Sequence, residues 1–394
     1  MCDLSVERSI AHYFAPLDEP RSTIQRRHIL SEMIVIAIAA SFSGADGWVG
    51  VETFGQAKEA WLRTFLQLPA GIPSHDTFGR VFARIDPAQF AACFRQWSAS
   101  VAELIPDEII AVDGKTLRRS HSRGKGLAAL HLVSAWATAN RVVLGQVATD
   151  AKSNEITAIP RLLAWLKLEG CIVTIDAMGC QTKIAEQIIH QGGDYMLALK
   201  GNQETLAAEV EEAFIDADAR GYVGVDSEFI ETVERGHGRL ETRRYRTLGD
   251  LSGVPRSALW EAMNMIGMVE SRREVAGKVS VETRYFIGSL GTSAARFARA
   301  VRGHWGIENG LHWNLDISFR EDECRVRDPV ARENLAVLRH IALSRLKNDG
   351  TKLGIQNKRL KAGWDESYLS KLLFESPQRQ GGQDASVTAN ISGA

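Results

Sequence analysis

The first hundred residues carry apolar positions at helical spacing. The stretch Arg27–Phe42 is rich in Ala, Ile and Met, and Val51–Gln67 places large apolar residues three or four apart. A helix is predicted at Thr77–Arg84, and Asp86-Pro87 is a typical start for the next one. We therefore predict an all-helical domain over residues 1–105. Its two short helices could form a helix-turn-helix, although a plain helical bundle is the favoured interpretation.

From Ile109 onward, short apolar runs alternate with helical segments. Two of these runs, Ile109–Asp113 and Cys171–Asp176, end in an acidic residue. Strands alternating with helices predict an α/β sheet. Further strands are expected at 127–137, 141–148, 195–199, 229–248 and 278–290, and helices at 155–167, 181–190, 201–220, 294–315 and 329–347.

Composition narrows the class of protein. The chain has 394 residues, 45% of them hydrophobic and 24% charged, with a net charge of −1. These values exclude a mainly disordered chain, a collagen and a uniformly basic coat protein, and the length favours two or three domains. Five scattered cysteines without a C-x-x-C pair favour a reducing compartment. Without a signal pattern or a membrane-length apolar run, we expect a cytoplasmic protein with no membrane partner.

Three carboxylates are candidates for chemistry. Asp113 and Asp176 each end a buried-type strand, the sheet edge where α/β proteins build their sites, although either could simply cap a turn. On a regular helix Glu308 shares a face with apolar residues such as Val301 and Leu311. A buried carboxylate is costly unless it is paired or bound to metal, so an internal salt bridge is the alternative for Glu308.

Three converging carboxylates would form a hard-oxygen site suited to two Mg²⁺ or Mn²⁺ ions. Two such ions can activate a nucleophile and stabilise the leaving oxygen at a phosphodiester. Two basic runs, Lys115–Gly126 and Arg235–Arg246, would then contact phosphates, although a solvated charged face remains the alternative. The candidate contacts in these runs are Lys115, Arg118, Arg119, Arg239 and Arg243.

Two other motifs suggest different chemistry. Gly114-Lys115-Thr116 resembles the end of a P-loop, but Ile109 stands where the first glycine is needed. His304, Glu308 and His312 share a helical face without the H-E-x-x-H pattern. A single-zinc His/Glu hydrolase therefore stays open as an alternative enzyme.

Several segments together resemble the bacterial insertion-sequence transposases of the ISAs family, also called H-repeat-associated proteins. The resemblance runs from about residue 10 to 350, and the block around Glu308 is its most specific part. The segments that carry it are Ile72-Pro-Ser-His-Asp-Thr-Phe78, Ala111-Val-Asp-Gly-Lys-Thr116, Thr174-Ile-Asp-Ala-Met178, Gly236-His-Gly-Arg-Leu-Glu241, His304-Trp-Gly-Ile-Glu-Asn309 and Leu311-His-Trp-Asn-Leu-Asp316.

The resemblance implies a ribonuclease-H-like core with the catalytic, metal-binding triad Asp113, Asp176 and Glu308. The domains it implies are a helical domain at 1–105 that could bind DNA ends, a core divided between 106–200 and 291–350, a β-rich insertion at 201–290, and a C-terminal extension at 351–394, disordered from about 376.

Beside the glutamate, the sequence departs from the pattern of related groups. Related groups carry a signature of Tyr, Arg, Glu and Lys around this glutamate. Here Val301 and His304 stand where its Tyr and Arg would be, and Leu315 stands where its Lys would be. The expected DNA contacts around Glu308 are Arg302, His304 and Trp305, with Arg320, Arg325 and Arg327 as substitutes by proximity.

The activity implied by the resemblance is DNA transposition. A metal-bound water would cut one strand at the end of the element, and the freed 3′-hydroxyl would attack target DNA. The partners would be the terminal inverted repeats, target DNA and further copies of the chain, as a homodimer or larger assembly within the nucleoid. A catalytically inactive, transposase-derived DNA-binding protein is the alternative from a different class.

Overall fold

The fold was analysed in a computed structural model that describes residues 9–121, 128–149, 155–236 and 238–375. The predicted tail from 376 and two basic residues of the first run, Arg123 and Lys125, lie outside these ranges. The described residues fall into two compact units. The first holds residues 9–104, 114–121, 128–149 and 307–375, and the second holds 105–113, 155–236 and 238–306.

The N-terminal helices come first along the chain. They are α1 (Leu30–Phe42), α2 (Trp48–Ala57), α3 (Glu59–Leu62), α4 (His75–Phe82) and α5 (Pro87–Val101). The central elements are β1 (Ile109–Thr116), β2 (His131–Ala137), β3 (Val142–Thr149), α6 (Glu155–Leu163), β4 (Ile172–Ile175), α7 (Thr182–His190), β5 (Asp194–Leu199) and α8 (Glu204–Ala219).

Four long strands and the C-terminal helices complete the chain. The strands are β6 (Ser227–Gly236), β7 (Arg239–Leu248), β8 (Met265–Val275) and β9 (Lys278–Gly288). The helices are α9 (Ala294–Ile307), α10 (Trp313–Ile317), α11 (Pro329–Lys347), α12 (Ile355–Trp364) and α13 (Glu366–Phe374). A π-helical turn, Glu308–His312, joins α9 to α10.

In the first unit, helices pack around the hairpin of β2 and β3. α1 is almost wholly buried and packs against α2 and α11, while α5 packs on β3 and α11. The inner face of α5 is aromatic, with Phe90, Phe94 and Trp97 buried. The predicted all-helical domain is therefore only partly observed, because its helices share one unit with the β2–β3 hairpin and the C-terminal helices.

The second unit is built on a mixed sheet with the strand order β1-β4-β5-β9-β8-β7-β6. β1, β4 and β5 run parallel, and every later pair is antiparallel. Phe297 of α9 is fully buried in the core of this unit together with Ile172, Met196, Tyr245 and Met265. The α9 helix is therefore fixed to one face of the sheet.

The observed elements confirm a mixed α/β fold with a large mixed sheet. Two parts of the pattern were missed. β8 was not predicted because its outer half, Glu270–Val275, is mostly charged, and α12 and α13 were not resolved from the rest of the C-terminal extension. Within the described ranges, no helix combines the length and apolar character that crossing a membrane requires.

Candidate active site

Asp113 and Asp176 lie side by side at one edge of the second unit. β1 and β4 are parallel, with Val112 paired to Ile175, and the two acids directly follow this pair. Neighbouring strands are about 4.8 Å apart, so both side chains leave the sheet at the same place. Both acids are partly exposed, whereas the strand residues before them are buried. The two predicted acids thus form one carboxylate pair. Asp176 directly follows β4 as predicted, whereas β1 continues past Asp113 to Thr116, so Asp113 lies within its strand.

The loop after Asp176 is fixed by its own hydrogen bonds. Asp176 Oδ1 accepts from the backbone N–H of Met178 at 3.0 Å and of Gly179 at 3.4 Å. Both bonds use the same oxygen, which orients the carboxyl group. A Cβ on Gly179 would lie 2.3 Å from Ile175 Cγ2, so a larger residue would displace the loop.

Two residues that sequence reasoning missed support this loop. Asn202 Nδ2 donates to the Ala177 carbonyl, and Gln203 Nε2 donates to the Cys180 carbonyl at 3.0 Å. Both lie in the turn after β5, the third parallel strand. The sequence does show the polar segment Gly201-Asn202-Gln203 shortly after an apolar strand. This segment was interpreted only as the start of a helix.

Helix α9 crosses β1 and β4 closely, near the carboxylate pair. A Cβ on Gly303 would lie 2.5 Å from Ile109 Cδ1, so only glycine permits this approach. In the next position, His304 Nδ1 and Thr174 Oγ1 are hydrogen-bonded at 3.1 Å. His304, expected to contact DNA, is thus engaged with β4, two residues before Asp176.

Glu308 begins the π-helical turn one helical turn after His304 and belongs to the first unit. The prediction that Glu308 faces the apolar side was wrong, because its side chain is 53% exposed; the neighbouring Trp305 is 46% exposed. Val301, Leu311 and Leu315 are buried as expected. The π turn holds an extra residue from Glu308 onward, so the 3.6-residue periodicity no longer places Glu308 on the same face as Leu311 and Leu315.

Asn314 supports the π turn from inside the first unit. Its buried side-chain Nδ2 donates to the carbonyls of Asn309 at 2.9 Å and Gly310 at 3.1 Å. His312, also buried, places Nδ1 3.6 Å from Glu308 Oε2. The sequence alone could not assign this role to Asn314, because the role depends on the π turn, which the sequence does not predict.

Lys115 lies in an internal ion cluster of the first unit. Its ammonium is 2.5 Å from Asp316 Oδ1, 3.1 Å from Glu321 Oε2 and 3.8 Å from Asp322 Oδ1. Burial disfavours the charged amine, but these acids outweigh that penalty and raise the pKa of Lys115. Glu321 is itself buried against Arg339 at 3.3 Å. The geometry favours a structural role for Lys115 over a DNA contact.

The other expected DNA contacts differ in how far they are engaged. Arg118 is 82% exposed beside Asp322, and Arg119 is also exposed. On the β-rich strands Arg243 pairs with Glu241 at 2.7 Å and Glu234 at 3.1 Å, whereas Arg239 is 3.9 Å from Glu241.

The exposed side of α9 carries both charge and an aromatic ring. Arg302 forms an ion pair with Glu234, the same acid that binds Arg243. The guanidinium of Arg284 lies 5.1 Å from the centre of the Trp305 ring. These contacts tie α9 to the β-rich strands and leave part of the Trp305 ring open.

The family models identify the class of protein. Residues 105–345 match the model described as "Transposase DDE domain", and residues 11–98 match the one described as "DDE_Tnp_1-associated". The chain therefore belongs to the transposases with a DDE domain. This family supports a role in DNA transposition and the use of a divalent metal.

The relatives are H-repeat-associated proteins and other transposases. The chain is 38% identical to "H repeat-associated putative transposase YhhI" of Escherichia coli (strain K12), covering 94% of this chain and 98% of the relative. It is also 38% identical to "Putative transposase YncI" of Escherichia coli O157:H7, covering 93% of this chain and 94% of the relative. The resemblance drawn from the motifs is confirmed.

One solved structure shows a weak likeness. It is the piggyBac transposase synaptic complex with hairpin DNA, at a TM-score of 0.43 and 9% identity, covering 95% of this chain and 80% of that one. A TM-score of this size does not establish a shared fold.

Proposed function

We propose that this protein is an active DDE transposase that cleaves phosphodiesters at the ends of an insertion sequence and transfers the freed 3′-hydroxyl into target DNA. The observation that carries the proposal is the carboxylate pair Asp113 and Asp176 on adjacent parallel strands. It stands in a chain that belongs to the DDE transposases. Glu308 is proposed as the third member, one helical turn beyond the point where α9 contacts β4.

The donor set fits a divalent metal of the hard class. Asp113, Asp176 and Glu308 offer only carboxylate oxygens, the ligands that Mg²⁺ and Mn²⁺ prefer. When bound, two such ions would activate the attacking oxygen and stabilise the leaving one. The chain itself orients the ligands, since the N–H groups of Met178 and Gly179 hold one oxygen of Asp176.

The residues proposed to contact DNA are those whose cationic or aromatic groups remain accessible. They are Arg118, Arg119, Arg239, Arg302 and Trp305. Exposed arginines would contact phosphates without reading sequence, and an exposed tryptophan provides a surface on which bases can stack. Lys115 and Arg243 are excluded from this set because their side chains are only 11% and 23% exposed and are paired with acids. Arg302 and Arg118 also pair with acids, but they remain 42% and 82% exposed.

The zinc alternative is weaker because it assigns no role to Asp113 and Asp176. It needs His304, Glu308 and His312 as ligands. The hydrogen bond of His304 Nδ1 to Thr174 does not decide the matter, because Nε2 could still bind a metal. The carboxylate proposal accounts for the pair of acids and for the family.

Metal-dependent cleavage tests the proposal. The substrate is a duplex that carries the inverted repeats flanking the gene, and purified protein is assayed with Mg²⁺, Mn²⁺ or Zn²⁺. We expect nicking at the repeat ends only with Mg²⁺ or Mn²⁺, and a free 3′-hydroxyl at the cut. Binding of the repeats without cleavage in any metal would instead support an inactive DNA-binding protein. Cleavage that depends on one tightly bound zinc would support the alternative enzyme.

A further inference from the structure

The first unit contains a surface groove that the proposed chemistry does not use. It has a volume of about 700 Å³ and lies between α2, α4 and the segment 320–331. Trp48 forms part of its wall, and its ring stacks on Phe82 with 4.7 Å between ring centroids. The neighbouring Val49 is 64% exposed. The groove therefore offers a rigid aromatic wall beside an accessible apolar surface.

Three of the four acids that line the groove are already engaged. Asp46 binds Arg359 at 3.0 Å, and Glu323 binds Arg320. Asp328 Oδ1 accepts from the first N–H groups of α11 at 2.9 and 3.0 Å, which makes it the helix cap. The fourth lining acid, Asp76, is 76% exposed and lies 3.6 Å from His75 Nε2, so it is the one acid of this wall that remains open to solvent.

Three of the lining arginines differ from these acids. Arg325 and Arg327 are exposed and have no ion-pair partner among the residues that the structure describes. Arg80 reaches the uncharged hydroxyl of Thr77 at 3.5 Å. The groove thus has three available positive charges against one open acid, Asp76, beside an aromatic wall. This excess of positive charge is complementary to a phosphate backbone with bases or sugars attached.

We propose that this arginine groove, defined by Arg80, Arg325 and Arg327 beside Trp48, binds the sugar-phosphate backbone of DNA. The inference rests on the proposed function, because it supplies a second contact for the same substrate. Phosphate contacts of this kind fix the position of a protein on DNA and do not read its sequence. The groove accordingly holds a stretch of DNA regardless of its bases.

Binding of a labelled duplex of about 30 base pairs tests the groove. Full-length protein and the double variant Arg325→Ala/Arg327→Ala are titrated by fluorescence anisotropy at several salt concentrations. Each lost phosphate contact should make the slope of log K against log salt about 0.9 less steep. If the variant and the wild type bind equally at 1 M salt, this difference makes the variant bind roughly 8-fold more weakly at 0.1 M salt. The matched control, Lys167→Ala/Lys352→Ala, removes the same charge from exposed lysines that line no part of the groove.

We expect the slope to be less steep in the arginine variant and unchanged in the lysine control. If the two variants have the same slope and the same affinity for the duplex, the proposal is overturned. Labelled polyglutamate, titrated in the same way, is the second probe. If the arginine variant loses polyglutamate binding but keeps its DNA binding, the proposal is overturned and the groove is assigned to an acidic protein segment. Groove-dependent DNA binding without strand cleavage would refute the proposed chemistry alone.

Discussion

Lys115 gives the sharpest prediction about stability. Its side chain is 11% exposed and contacts three acids, of which Glu321 is 1% exposed while Asp316 and Asp322 are 33% and 25% exposed. Replacing Lys115 with Met keeps most of the volume and removes the charge. Breaking a buried ion pair costs about 3–5 kcal/mol. Because Arg339 still pairs with Glu321 and two of the acids reach solvent, we expect the lower end, about 3 kcal/mol.

Urea unfolding measures this effect against a matched control. Lys58→Met removes a lysine that pairs with Glu366 at 3.1 Å, where the two side chains are 17% and 47% exposed. That exposed pair should contribute less than about 1 kcal/mol. Adding Asp316→Asn to Lys115→Met should recover part of the loss, since Asp316 is the partly buried acid that loses its ion-pair partner Lys115. Glu321 is left unchanged because it also pairs with the buried Arg339. A Lys115→Met protein as stable as Lys58→Met would refute the account of this cluster.

Two further predictions concern buried polar residues. Asn314→Leu removes the donors to the π turn, so strand cleavage should fall about 10- to 100-fold while DNA affinity stays the same; unchanged cleavage would remove the turn from the mechanism. Burial lowers the pKa of His340 to about 4. An unfolded histidine titrates near 6.5, so the unfolded chain binds more protons and stability should fall by about 3 kcal/mol as the pH drops from 6.5 through 4. Urea titrations across this pH range should show a flatter profile in His340→Leu, and an equal slope would contradict the assignment.

The sequence predicted the parts of the fold that depend on local pattern. Buried strands such as Ile172–Ile175 are continuous apolar runs, and Asp86-Pro87 and Asp328-Pro329 mark the starts of α5 and α11. The pairing of Asp113 with Asp176 follows from the same pattern, because each acid directly follows a buried apolar run and the two runs are neighbouring parallel strands. The continuation of β1 to Thr116 was not predicted, because Gly114-Lys115-Thr116 is not apolar.

The remaining features depend on contacts between distant segments or on irregular backbone. The π turn at Glu308–His312 has no signal in a periodicity that assumes 3.6 residues per turn. The role of Lys115 depends on acids some two hundred residues away, so its position in a basic run suggested phosphate contacts instead. β8 was not predicted because many of its positions are charged. It is a strand because it pairs with its neighbours in the sheet, which its own sequence pattern does not indicate.

The central claim is that Asp113, Asp176 and Glu308 act as one catalytic unit. Single-turnover cleavage of the inverted-repeat duplex should be measured for Asp113→Asn, Asp176→Asn and Glu308→Gln, with the exposed Glu186→Gln as the control. We expect each of the three to lower the rate by about 10³-fold or more, double variants to lose little beyond that, and DNA affinity to persist. Cleavage near the wild-type rate in any one of the three would remove that residue from the unit and contradict the account.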